Sequence, residues 1–168
     1  LLLAGGSLIR FWIDPVVLLT VAFLIIIGGI GFLVWRVIQQ HGVHLKYYRL
    51  QTKLVLVVTG LLILLPTLFF LFFEFTDPKW AEMSWGERVL SAFFQSVTPR
   101  TAGFMSLDMR GFSQASLLLV IVLMLIGGSP GSTAGGIKTT SLAVLFLSLR
   151  SCLTKKEHLY FCKRRLPD

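Results

Sequence analysis

The 168 residues include 55% apolar and only 14% charged side chains, with 14 phenylalanines and a net charge of +8. A soluble domain of this length would hold about 25% charge, so an ordinary water-soluble globule is excluded and hydrophobic runs decide the class. The positive charge is not evidence for a nucleic-acid partner, because it gathers in two stretches that alternate with acidic ones across apolar segments.

Along the chain, residues 1–15 end in Asp14-Pro15, a helix start in which Asp caps and Pro suits the first turn. The uncharged run Val16 to Trp35 follows. As helix it would be about 30 Å long, the thickness of a bilayer's hydrocarbon core. Its Gly28, Gly29 and Gly31 would permit close helix packing in a membrane. Neither this run nor the next has the short apolar stretch and basic flank of a secretory signal. The chain opens on LLLAGG without an initiating Met and reads as part of something longer. Residues 36–53 are basic, through Arg36, Lys46, Arg49 and Lys53. A second uncharged run, Leu54 to Phe73, contains Pro66, where a kink is expected.

Residues 74–83 are polar and acidic. Ser84 and Glu87 then form an S-x-x-E capping box that predicts a helix over 85–96, with Val89, Leu90, Phe93 and Val97 as its apolar stripe. At about 18 Å it is too short to span a bilayer, so it is either interfacial or a re-entrant half-helix. Pro99 stops it, and Thr101-Ala-Gly-Phe104 follows. A re-entrant helix would aim its unpaired carbonyls and negative partial charge at mid-membrane. A returning loop with inward carbonyls can replace a cation's hydration shell.

Ser116 to Ile126 and Ser141 to Leu149 are helical in character, and the glycine-rich Gly127 to Gly136 lies between them. As one helix, 116–149 would run about 51 Å, well beyond the hydrocarbon core. Irregular backbone inside a membrane persists only where protein or a water-filled cavity solvates it. The expectation is a broken span, which marks a transport pathway.

The basic stretches 36–53 and 150–165 flank these spans. The acids Asp14, Glu74, Asp77, Glu82, Glu87 and Asp108 lie elsewhere. The positive-inside pattern puts 36–53 and 150–168 in the cytoplasm and 74–112 outside. Cys152 and Cys162 are then reduced thiols, and His41, His44 and His158 are solvated surface groups. Gly131 to Thr139 nearly matches a phosphate loop, but Ile137 separates Gly136 from Lys138 and no soluble α/β domain surrounds it. No nucleophile–base or paired-carboxylate arrangement falls within one segment, so an enzyme is not indicated.

Phe94-Gln-Ser-Val-Thr-Pro-Arg-Thr-Ala-Gly-Phe104 resembles the pore-helix end and filter of the Trk/Ktr/HKT potassium transporters. Gly127 to Thr140 is similar to their intramembrane glycine loop, and Ile27 to Phe32 to a helix of their second repeat. The resemblance implies an all-α integral membrane fold of helix–pore-loop–helix repeats, with a re-entrant pore helix and a broken second helix. On that plan residues 1–35 are the tail of a preceding repeat and 36–53 a cytoplasmic linker. Residues 54–150 are a complete repeat, and 151–168 lead to a missing one.

It further implies potassium binding by the backbone of Thr101, Ala102 and Gly103, with Phe104 packed behind. Arg100 beside them is expected to be an external anchor, since a cation there would repel potassium. The gating loop would comprise Gly127, Gly128, Gly131, Ser132, Thr133, Gly135, Gly136 and Lys138. Expected too are a multi-pass plasma-membrane location, no covalently bound cofactor, and potassium as the transported ion with sodium as a second candidate. Expected partners are the other pore repeats, the lipid bilayer, a second copy of the full-length chain and a cytoplasmic nucleotide-binding regulatory ring. The basic surfaces would dock that ring or anionic headgroups. A non-transporting membrane scaffold is the alternative from another class.

Overall fold

In the computed structural model of the chain, the described residues are 14–42, 48, 50–100, 102–104, 111–154, 160–161 and 164–165. Residues 1–13, Lys46, Arg49, Asp108, Lys155, Lys156, Cys162 and Lys163, the histidines at 44 and 158, and Thr101 lie outside them.

Helix α1, Pro15–Ile30, starts as the sequence predicts: the Asp14 carboxylate accepts from the Val16 amide at 3.1 Å, and Pro15 fills the first turn. The expected single span Val16 to Trp35 is not one helix, however. The chain breaks at Gly31, whose φ is 83°, and α2, Phe32–His41, leaves at 88° to α1. Helix α2 takes the first part of 36–53 and α3, Leu50–Phe69, the last.

Helix α3 runs through the buried Pro66 into a widened turn, Phe70–Glu74. Together they make 25 residues, the one helix among those described that is long and apolar enough to cross a membrane; the bent α1–α2 pair would make a second. A short 3-10 turn, Pro78–Trp80, leads to α4, Trp85–Val97. Helices α5, Gln114–Leu125, and α6, Thr139–Thr154, follow on either side of the glycine-rich stretch. Tyr160–Phe161 (β1) and Arg164–Arg165 (β2) pair antiparallel, a small departure from the all-α expectation.

Helix α4 sits between two cores, which explains why one apolar stripe does not describe it. Ala92 joins Phe70, Phe75, Phe112, Val120 and Leu123 on one side. Phe94 and Val97 join Leu18 and Ala22 of α1 on the other. Of the expected stripe, Val97 is buried and Leu90 and Phe93 partly so, but Val89 is exposed. Ser91, Gln95 and Ser96 are buried instead, and the Thr67 hydroxyl of α3 reaches Ser96 Oγ at 2.9 Å.

Within the acidic stretch 74–83, expected to be external, Glu74 is buried at the start. One carboxylate oxygen accepts from the Ser113 amide (3.1 Å), Ser113 Oγ (2.8 Å) and Ser116 Oγ (2.6 Å). The other meets Lys79 Nζ at 3.0 Å and accepts from Trp80 Nε1 at 3.3 Å. Ser113 is the N-cap of α5, so this carboxylate ties the end of α3 to the start of α5. The same hydrogen bond to Glu74 raises the Lys79 pKa above its usual value.

Phe72, Phe73, Leu118 and Phe146 are between 63% and 71% exposed. Apolar side chains exposed on this scale on the widened turn after α3, on α5 and on α6 mark surfaces that meet lipid or other protein rather than water.

Candidate functional site

The capping box that starts α4 is formed, with the Ser84 amide donating to the Glu87 carboxylate at 2.8 Å. Thirteen residues give α4 about 20 Å, and its last residues are buried together with Thr98, Pro99 and Arg100. Beyond Val97 the chain turns back on itself. The Ala102 and Gly103 amides both donate to the Thr98 carbonyl, at 3.2 and 3.0 Å. The Thr98 hydroxyl in turn donates to the Phe104 carbonyl at 2.7 Å.

Thr98 therefore clamps both limbs of the 102–104 turn, a role that sequence reasoning missed. Its one signal is a hydroxyl at a helix end just before Pro99. Gly103 has φ 69°, and a Cβ built there would meet nothing within 4 Å. Its backbone conformation favours glycine, while the space around it does not. Ala102 is half-buried. Phe104 is 36% exposed.

Arg100 departs from its expected place. Only 7% exposed, it is no external anchor but lines a cavity of about 170 Å³ with Gly28 and Gly29 of α1, Ala102, Thr133 and Ala134. That cavity brings the turn after α4 and the glycine-rich loop to the same space.

The loop between α5 and α6 is closed at its neck. Ile126 and Ile137 form a parallel bridge. The Gly127 amide donates to the Ile137 carbonyl at 2.9 Å, and the Ile137 amide to that of Leu125 at 3.0 Å. A Cβ on Gly127 would collide with the Gly135 carbonyl, so the two limbs close only because a glycine stands there. The Thr139 amide adds a bond to Gly128 O at 3.2 Å.

Gly127 and Gly128 are buried; Gly131, Thr133, Gly135 and Gly136 are exposed; and Ser132 and Lys138 are intermediate. Lys138, a charge beside apolar helices, has a partner. Its ammonium donates to the Ala134 carbonyl at 2.7 Å. Among the described residues no group of three His, Cys, Asp or Glu could hold a metal ion.

The family model of the TrkH cation transport proteins matches residues 2–164. The chain belongs to this family. Its relatives are ion transporters rather than enzymes, and family and exposed apolar surface together make it a membrane protein. It is 41% identical over 166 residues to the Ktr system potassium uptake protein B of Vibrio alginolyticus, covering 96% of this chain and 36% of that protein. It is also 41% identical over 155 residues to the potassium/sodium uptake protein NtpJ of Enterococcus hirae, covering 92% and 34%. The crystal structure of the potassium transporter TrkH from Vibrio parahaemolyticus shares its fold, with a TM-score of 0.71 at 22% identity over 96% of this chain and 35% of that one. The chain thus spans about a third of the length of these relatives.

Proposed function

We propose that this chain supplies one pore-lining repeat, and the end of the preceding one, to a plasma-membrane protein that carries potassium. Sodium is a second candidate ion. The observation that carries the reading is the meeting of two glycine-bearing loops, 102–104 and 127–136, at one cavity beyond the buried end of α4.

In this reading α4 is the re-entrant pore helix, and residues Thr101 to Phe104 supply the filter. Carbonyls of Thr101, Ala102 and Gly103 take the place of water around the ion. The glycine-rich loop lies beneath the filter as the barrier to flow. The remaining pore repeats complete the conduction path, two full-length copies form the working assembly, and a cytoplasmic nucleotide-binding ring regulates it. The Ktr names of the relatives, uptake systems with lettered proteins, support the expectation of a partner subunit.

The test is rubidium uptake by the complete protein in cells lacking other potassium uptake. Saturable uptake that potassium competes away is the expected result. Correctly inserted protein without uptake would favour a non-transporting scaffold.

The charge pattern orients the chain with 36–53 and 150–168 inside and 74–112 outside. Single cysteines at Gln40 and Lys79, with Cys152 and Cys162 replaced, should label from opposite faces of the membrane. Labelling of both from one face would overturn this orientation.

A further inference from the structure

A helix end leaves its last carbonyls without partners inside the helix, and the next helix start leaves its first amides in the same state. The break at Gly31 creates both needs within a few residues, inside an apolar environment where each costs free energy. Residues of the glycine-rich loop meet them. The Ser129 amide donates to the Gly29 carbonyl at 2.9 Å, and the Ser129 hydroxyl donates to the Ile30 carbonyl. In the other direction the Phe32 amide, first of α2, donates to the Gly131 carbonyl at 3.1 Å.

Ser129 is fully buried, and the fit is close. A Cβ on Gly31 would come within 2.7 Å of Ser129 Oγ and 3.0 Å of the Ser132 nitrogen. A Cβ on Gly128 would come within 2.9 Å of the Gly29 carbonyl.

We infer that the α1–α2 break is the docking seat of the gate, and that Ser129 is the latch holding the loop in its blocking position. The inference rests on the reading of this loop as a gate. It adds that the preceding repeat, not the loop's own helices alone, sets where the gate rests. Because the first amide of α2 holds Gly131, displacement of α2 pulls the loop from its seat. Ser129 touches no ion in this scheme and acts as a positioning residue.

The test uses the complete protein with its regulatory subunit and with Cys152 and Cys162 replaced by serine. Gly28→Cys is combined with Thr133→Cys. A Cβ at Gly28 would lie 3.3 Å from Thr133 Oγ1, within reach of a disulfide. Diamide joins the two thiols and takes up their two electrons and two protons; dithiothreitol reverses this. The seated loop is then fixed to α1, and rubidium uptake should fall at least about fivefold, if the latch is worth a net hydrogen bond or more, and return on reduction. Neither single-cysteine variant should respond.

A bond that forms without changing uptake, or a pair that does not join in inserted protein, overturns the inference. Independently, Ser129→Ala should raise basal uptake about three- to tenfold, the range set by one net hydrogen bond, with potassium/sodium discrimination unchanged. If the paired variant carries no uptake even when reduced, this single variant decides, and unchanged uptake overturns the latch. Loop deletion separates the two levels. A deletion that opens the pore while Ser129→Ala and the disulfide do nothing leaves the gate standing and removes the seat. A deletion without effect removes the gate itself.

Discussion

Removing Ser132 to Gly135 from the complete protein should raise potassium flux by at least about tenfold while leaving ion discrimination intact. The deleted residues form the tip of the loop, including Thr133 and Ala134 at the cavity shared with Ala102. They also include the carbonyl that holds the Lys138 ammonium. The neck bonds between Gly127, Leu125 and Ile137 use none of them, and neither does the Ser129 seat on α1. The helices on either side therefore keep their anchor points. If the tip raises the barrier by as much as two net hydrogen bonds, about 2 kcal/mol, its loss exceeds a tenfold change in rate. The regulatory subunit should then have less to control. Unchanged flux in a correctly assembled protein would place the barrier elsewhere. Loss of discrimination without a gain in flux would make the loop a support of the filter.

The second large effect is expected at Gly103. Its φ of 69° lies in the left-handed region, where a Cβ costs about 1–2 kcal/mol. No neighbouring atom would obstruct that Cβ, so the variant should fold and relieve the strain by rotating the backbone. Rotation moves the carbonyls of the turn and strains the Thr98 bonds to Gly103 and Phe104. Gly103→Ala should therefore lower potassium flux by about tenfold, in proportion to that strain, and weaken potassium/sodium discrimination. Gly86→Ala is the control. It adds the same methyl group in open space on ordinary helical backbone in α4. Wild-type flux and discrimination in Gly103→Ala would show that this turn is not the filter.

The legible parts of this molecule are those set by neighbours in the chain. Asp14-Pro15 and the Ser84–Glu87 box start helices where their chemistry requires, and the glycine-rich stretch separates α5 from α6. Features decided by distant partners were hidden. Nothing within Val16 to Trp35 says that the chain turns at Gly31, because the groups that satisfy the broken backbone are Ser129 and Gly131, about a hundred residues on. Glu74 looks like one more acid in a polar loop until Ser113 and Ser116 arrive from the next helix. Arg100 reads as an outward charge beside a turn, but the turn folds against α1 and takes the side chain inward. The apolar stripe of α4 misled for a related reason: a helix packed on both sides buries its small and polar residues as well.

Rubidium uptake into vesicles holding the complete protein, measured for the loop deletion and for Gly103→Ala in parallel with sodium as competitor, tests the central claim most directly. The two variants are expected to separate: the deletion raises uptake with competition unchanged, and Gly103→Ala lowers uptake while sodium competes better. Two variants that change uptake and competition in the same way, or a deletion that leaves uptake at the wild-type level, would contradict it.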